Sequence, residues 1–250
     1  MVKVRSPREI ELIAESCQIV ADTLDMLTNH INPGVKLFEL DSLAEEFIRS
    51  KGAQPAFKGY MGFPATLCIS IDDEVVHGIP NNRILKEGQI VGFDCGVEKN
   101  GYYGDSARTY AVGSISVEKK KLMDITRESL IQGIKKAKVG NYVSDIGHAI
   151  QTYVEAVGFS VVRELVGHGI GTALHEEPQI PNFGSPKQGV QLQTGMCLAI
   201  EPMINIGAKE IYTDKDGWTV KTKDGQSSAH FEHTIAILEN GPEILTMGKA

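Results

Sequence analysis

Three acidic side chains stand inside apolar runs that ordinarily exclude them. Asp94 lies in Gln-Ile-Val-Gly-Phe-Asp-Cys, Glu201 in Met-Cys-Leu-Ala-Ile-Glu-Pro-Met and Glu232 in Ala-His-Phe-Glu-His-Thr-Ile-Ala-Ile-Leu. Acids are fully buried almost only when they are paired or bound to a metal. Asp105 joins them through a turn. Asn100-Gly101 is a strong two-residue hairpin signal, and a hairpin closed there sets Gly96 opposite Asp105, with Asp94 on the Gly96 face. The two aspartates become diagonal neighbours across the strand pair. Adjacent carboxylates stay ionised in an apolar setting only when cations neutralise them. Carboxylate oxygens suit hard or borderline divalent ions, and one or two imidazoles shift the preference toward Mn, Fe, Co or Zn. The glycine-flanked His168 is such an imidazole. The expected chemistry is a dinuclear metal site that draws a nucleophile from water at neutral pH and polarises a carbonyl. A plainer reading, with each acid at a solvated strand end or paired with Arg or Lys, suits one acid better than four.

The elements that must hold these residues are marked along the chain. Ser6-Pro7-Arg8-Glu9 combines an N-cap, a proline at the first helical position and a capping-box glutamate. Ile10, Ile13, Ala14, Cys17, Ala21 and Leu24 follow at helical spacing, and Asn32-Pro33-Gly34 ends the run. A second helix carries Leu40, Leu43, Ala44, Phe47 and Ile48 and stops at Gly52. Strands are predicted over 66–71, 89–95 and 102–112, helices over 117–138 and 144–157, and strands again over 196–203, 229–238 and 243–247. The order helices, strands, helices, strands suggests an internal repeat. Gly34 and Gly52 recur as Gly140 and Gly158 at one offset, and His77-Gly78-Ile79 is echoed by His168-Gly169-Ile170. The expectation is one domain over 1–250, made of two halves, roughly 1–112 and 113–250.

Composition and motif searches narrow the classes. The chain has 250 residues, 42% hydrophobic and 23% charged, with a formal net charge of −7. A chain of that length buries roughly 70–75% of its unfolded surface, so it needs no staple to fold. Its hydrophobic content excludes disorder, and its acidity argues against direct nucleic-acid readout or an anionic membrane surface. Cys17, Cys68, Cys95 and Cys197 form no CxxC pair, which fits a reducing compartment. No leader-like or membrane-spanning run is expected, so the location read from the sequence is cytoplasmic. His175-Glu176-Glu177-Pro178-Gln179 begins like a zincin helix but lacks the second histidine and holds a proline. Gly104-Asp105-Ser106-Ala107-Arg108 lacks the second glycine of a nucleophile elbow. Gly167-His168-Gly169-Ile170-Gly171 does not satisfy the dinucleotide fingerprint.

The ordered set Asp94, Asp105, His168, Glu201 and Glu232 closely resembles that of type I methionine aminopeptidases. These belong to the pita-bread enzymes, which include prolidase, aminopeptidase P and creatinase. The resemblance spans nearly the whole chain and is carried by Val76-His77-Gly78-Ile79-Pro80, Gly92-Phe93-Asp94-Cys95-Gly96, Gly104-Asp105-Ser106-Ala107-Arg108, Gly167-His168-Gly169-Ile170-Gly171, His175-Glu176-Glu177-Pro178, Ile200-Glu201-Pro202 and Phe231-Glu232-His233-Thr234. It implies an α+β pita-bread fold: two αβ halves about a pseudo-two-fold axis, with a curved antiparallel sheet and helices on its outer face. It also implies two divalent ions (Co, Mn, Fe or Zn), Asp94 chelating one, Asp105 and Glu232 bridging, and His168 and Glu201 completing the other. By the same resemblance Glu201 shuttles a proton, His77 contacts the scissile amide and His175 the carbonyl oxygen. Tyr60, Phe63, Cys68, Leu174 and Trp218 line the methionine pocket, Leu174 and Phe63 standing where type I enzymes often place an aromatic and a tyrosine.

Other members fit less well. The first helix starts at Ser6, whereas prolidase and aminopeptidase P carry a large domain before it. The stretch between His168 and Glu201 is too short for the helical insertion of type II enzymes. The resemblance therefore implies a monomer acting on N-termini of nascent polypeptides near the ribosome, when residue two is small. An Xaa-Pro aminopeptidase of this fold and a non-catalytic peptide-binding module are the competing readings. Of the remaining histidines, His30 and His148 read as surface residues and His233 as facing away from the metals. His230 shares the Glu232 face, and Cys95 reads as a buried structural thiol.

Overall fold

The computed structural model describes residues 2–248. Helix α1 runs Pro7–Thr28 and starts as its capping box dictates: Ser6 Oγ accepts the Glu9 N–H, and the Glu9 carboxylate accepts the Ser6 N–H at 2.9 Å. Its buried stripe includes Ile13, Cys17, Val20, Leu24 and Leu27, the spacing that turns one helical face toward a core. Helix α2, Leu37–Ser50, buries Leu40, Ala44 and Ile48 beside it. Both enclose a core with Leu67, Ile69, Val91, Phe93 and Val97 of the first strands. Helices α3, Val117–Ile134, and α4, Val143–Glu155, cover a second core with Leu198, Ile200, Ile204, Ile235 and Ile237.

The strands form antiparallel sheets. Ile90–Lys99 pairs with Gln54–Pro55, Leu67–Ile71 and Tyr102–Ala111. Its hairpin with Tyr102–Ala111 turns at Asn100 and Gly101, whose φ values of 56° and 80° are the left-handed pair that a tight turn of this twist demands. The register sets Gly96 opposite Asp105 and Asp94 opposite Ala107, as the turn predicted. A five-stranded sheet has the order Gly241–Ile244, His233–Leu238, Cys197–Ile200, Gly167–Gly169, Glu176–Ile180. Three-stranded sheets join Ser228–His230 with Met203–Asn205 and Ser160–Val161, and Ile211–Thr213 with Val220–Thr222 and Glu74–Val76.

The structure corrects the expectation of uninterrupted strands over 196–203 and 229–238. Both are broken at their acids. Cys197–Ile200 pairs with His233–Leu238, whereas Met203–Asn205 pairs with Ser228–His230 in another sheet. The chain therefore changes sheets twice at one level, at Glu201-Pro202 and at Phe231-Glu232. Pro202 has no N–H to donate to a ladder, so the strand ends where the acid stands.

The freed backbone is bonded from the Tyr102–Ala111 strand. Ser106 Oγ donates to the Glu232 carbonyl (2.6 Å), and the Glu232 N–H donates to the Ala107 carbonyl (2.8 Å). Thr109 Oγ1 donates to the His230 carbonyl and accepts the His230 N–H. Thr234 Oγ1 accepts the Asp105 N–H at 3.2 Å and donates to the Asp105 carbonyl at 2.7 Å. This buried seam joins the hairpin of the first half to the sheet corner of the second. Thr234→Val leaves the Asp105 N–H and carbonyl without that hydroxyl, so urea unfolding of the metal-free variant should show a loss of about 2–4 kcal/mol. A loss below about 0.5 kcal/mol, the range of an ordinary surface change, would contradict the seam's role.

Candidate metal centre

Asp94 and Asp105 reach the centre from the hairpin. His168 comes from Gly167–Gly169, opposite Ala199 in the five-stranded sheet, and Glu201 and Glu232 stand at the two sheet crossings. Asn182 Nδ2 donates to the Glu201 carbonyl at 2.9 Å, fixing that crossing. All five side chains border one cavity of about 570 Å³, together with His77, His175, Tyr60, Phe63, Cys68, Leu174 and Trp218. Every site residue proposed from the sequence therefore lies on one wall system. A hollow of about 550 Å³ beside α3 and α4 has Asp145 as its one acidic lining residue.

The electrostatics are those of a site built for cations. Asp105, His168 and Glu232 are 3%, 8% and 2% exposed, and each offers one ligand atom within 4.8 Å of the others'. His168 Nε2 lies 3.6 Å from Glu201 Oε1 and 4.0 Å from Asp105 Oδ2. Its Nδ1 is 3.0 Å from the Gly169 carbonyl. A carbonyl only accepts, so Nδ1 carries the proton and Nε2 points a lone pair at the acids. Burial holds this imidazole neutral, with a pKa of about 3. Asp94 Oδ1, Asp105 Oδ1 and Glu232 Oε1 are buried and have no hydrogen-bond partner. Burial raises Asp94 to about 7 and Glu201 to about 8. Burial first, and then the neighbouring acids, drive Asp105 and Glu232 well above the usual carboxylate range. Among the described residues no Lys or Arg forms an ion pair with any of the four, which removes the plainer reading. Buried charges with no counterion cost several kcal/mol each. Four carboxylates and an imidazole therefore fit divalent cations of the borderline class.

The cavity walls are held in place by local chemistry. His77 has a φ of 60°, a left-handed conformation that costs a non-glycine residue of order 1–3 kcal/mol and clusters at functional sites. Gly78 follows it, its Cα pressed so closely on the Ile69 carbonyl that no Cβ fits, and its N–H donates to Ser70 Oγ at 3.2 Å. Burial lowers the His77 pKa to about 4, His230 and His175 adding to the effect, so it is neutral. His175 Nδ1 lies 2.8 Å from the Tyr60 hydroxyl, and its ring meets that of His168 edge-on at 4.4 Å. Phe63 and Trp218 pack edge-to-face with centroids 5.2 Å apart. Cys68 is opposite Asp94 in the ladder.

Sequence reasoning missed the supports of this wall. Glu176 accepts from the Thr172 and Ala173 N–H groups and pairs with Lys3 and Arg5, tying the loop before His175 to the N-terminal segment. Ser106, Thr109 and Thr234 were likewise unremarked, although a hydroxyl amid apolar strand residues is a visible signal. His233 Nδ1 lies 2.8 Å from Thr246 Oγ1, and Cys95 is fully buried in the first core. His30 and His148 are exposed.

The geometry agrees with the chain's relatives. Residues 11–239 match the model of metallopeptidase family M24. Methionine aminopeptidase 1 of Bacillus subtilis is 54% identical over 98% of this chain and 99% of its own. Methionine aminopeptidase of Escherichia coli K12 is 45% identical over 99% of this chain and 95% of its own. The crystal structure of methionine aminopeptidase from Rickettsia prowazekii has a TM-score of 0.98 at 42% identity, covering 99% of this chain and 100% of that one. Prolidase from Pyrococcus furiosus has a TM-score of 0.82 at 24% identity, over 99% of this chain and 66% of that one, and so shares the fold. This is the pita-bread fold, and the chain belongs to metallopeptidase family M24, among its methionine aminopeptidases.

Proposed function

We propose that this chain is a dinuclear-metal aminopeptidase that removes the N-terminal methionine of nascent polypeptides when the second residue is small. The observation carrying the proposal is the convergence of five ligand-type side chains, four of them acids that no Lys or Arg among the described residues pairs with, on a cavity that Phe63, Leu174 and Trp218 also line. Asp94 would hold one ion, His168 and Glu201 the other, with Asp105 and Glu232 between them. When bound, two divalent ions supply Lewis acidity and lower the pKa of water to near neutrality.

The remaining work falls to the chain's own groups. Phe63, Trp218, Tyr60, Leu174 and Cys68 take the thioether side chain, a flexible and polarisable group suited to aromatic and sulfur neighbours. With Nδ1 accepting from the Tyr60 hydroxyl, His175 carries its proton on Nε2 and donates it to the carbonyl oxygen as charge develops there. His77, neutral, contacts the scissile amide. Such donors are worth about 10²–10³-fold in rate. Glu201, raised by burial, takes the proton from water and delivers it to the departing amine. The same reading makes the chain one catalytic domain of two related halves, roughly 1–112 and 113–250, working as a cytoplasmic monomer close to the ribosome with Co, Mn, Fe or Zn. Among the described residues no helix is long and apolar enough to cross a membrane.

A panel of peptides beginning Met-Ala, Met-Gly, Met-Lys and Ala-Pro, incubated with each metal, tests the specificity. Free methionine should appear from Met-Ala and Met-Gly, little from Met-Lys, and Ala-Pro should stay intact; cleavage confined to Ala-Pro would overturn the proposal. Asp105→Asn should abolish turnover with its circular dichroism unchanged, and His175→Ala should lower kcat by about 10²–10³-fold. Normal turnover in either variant contradicts the assigned roles.

Metal removal gives a separate prediction. The buried acids have pKa values above the unfolded value of about 4, so the folded state binds protons more tightly than the unfolded one. Their stabilising protonation is complete below that value and lost as pH rises through about 7 for Asp94 and about 8 for Glu201. The Tm of chelator-treated protein should therefore fall between pH 5 and 8.5, recover on adding metal, and fall less steeply in Glu201→Gln. An equal slope in that variant would contradict the account.

A further inference from the structure

The carboxylate of Glu176, next in the chain to His175, takes no part in the proposed chemistry and is nevertheless buried, its side chain 7% exposed. Its Oε1 accepts the Thr172 N–H at 3.0 Å, the Ala173 N–H at 3.1 Å and the Thr172 hydroxyl at 3.1 Å. Lys3 Nζ also reaches Oε1, from an exposed side chain for which water competes. Oε2 has one hydrogen-bond partner among the described residues, the Arg5 guanidinium, whose side chain is 6% exposed.

Arg5 is itself fixed from several sides. Its N–H donates to the Gly195 carbonyl at 2.8 Å, and the Gly195 N–H donates to the Ile237 carbonyl of the five-stranded sheet at 2.7 Å. Its Nη1 lies 3.6 Å from Glu9, the capping-box glutamate of α1. The guanidinium lies so close to Gly171 that a Cβ there would overlap it. The segment ahead of α1 thus grips the loop between Gly167–Gly169 and Glu176–Ile180 near both of its ends.

His175 needs that grip. Its neighbour Leu174 is 2% exposed, in a core cluster with Ile13, Cys17 and Phe63. His175 is exposed, and the one hydrogen bond of its ring is with the Tyr60 hydroxyl, on a side chain that is itself partly exposed. The aim of its Nε2–H therefore depends on the main chain beside it, which Glu176 bonds to Arg5. Without the guanidinium, Oε2 is a buried acceptor with no donor, a cost that the carboxylate escapes by turning to water and releasing Thr172 and Ala173.

We propose that Arg5 is a positioning residue of the active site, setting through Glu176 the loop that aims His175 at the substrate carbonyl. The proposal rests on the role given to His175 above and goes beyond it. His175 acts on charge that develops only as the carbonyl reacts, so a loss of aim appears in kcat. The methionine pocket, held by the packing of Leu174, Phe63 and Trp218, keeps its KM.

The test is a double-mutant cycle on the full-length, metal-loaded enzyme with a Met-Ala peptide. Arg5→Met should lower kcat by about 10–100-fold, with KM changed by less than about twofold. Arg5→Lys, which keeps a cation near Oε2, should recover most of that loss. In a His175→Ala background, Arg5→Met should cost less than a further twofold or so, because no ring remains to aim. A fall of similar size in both backgrounds, or a loss confined to KM, would overturn the proposal. Long-range 1H–15N spectra of the metal-free protein give a readout apart from activity. The His175 ring should carry its proton on Nε2 alone in the unsubstituted chain and populate both tautomers in Arg5→Met; an unchanged ring would contradict the proposal. If the unsubstituted enzyme releases no methionine, the functional reading falls, and the spectra still decide whether Arg5 sets the ring. Should Arg5→Met misfold by circular dichroism, Glu176→Gln runs the same cycle with the same expected outcomes, keeping a carbonyl for the two N–H groups but losing the charge that faces Arg5.

Discussion

Four carboxylates border one cavity, and among the described residues no Lys or Arg pairs with them. That single constraint governs the rest of the structure. Buried like charges neutralise themselves by taking up protons or by taking up cations. His168 selects between the two outcomes. Its proton is committed to the Gly169 carbonyl on the far side, so it turns a lone pair, not a donor, toward Glu201 and Asp105. A centre meant to be protonated would gain from a donor there; one meant for metal needs the lone pair.

Holding such a centre together requires a frame stiffer than the repulsion it resists. The frame is the seam of hydroxyl bonds between Tyr102–Ala111 and the 230–234 stretch, with Ser106, Thr109 and Thr234 all buried. It joins two cores that otherwise lie under separate helix pairs. Glu201 and Glu232 stand where strands leave one sheet for another, so their side chains are not spent on packing within a continuous ladder. The sheet corner and the metal centre are one feature: the break in regular pairing releases the acids, and the seam satisfies the backbone that the break would strand.

The hairpin half of the centre was legible in the sequence, because two residues at a tight turn fix the register of everything beyond them. Asn100-Gly101 was enough to set Asp105 beside Asp94. Helix α1 was legible for a similar reason, its start written in Ser6, Pro7 and Glu9. The second half of the centre could be read by residue type alone. Glu201 and Glu232 were conspicuous as acids in apolar runs, but the break at each was not foreseen, although Pro202 signals one of them. The seam was missed because a lone Ser or Thr in a strand has no partner until the tertiary fold supplies it. Glu176 was missed because its partners, Lys3 and Arg5, are far away along the chain.

The reading stands or falls on where cations go. Anomalous diffraction from crystals of this protein grown with Mn or Co would show them directly. The account predicts two adjacent peaks bounded by Asp94, Asp105, His168, Glu201 and Glu232 at the sheet crossing. An anomalous map with no peak among those side chains, in crystals that bind the metal elsewhere, would contradict it.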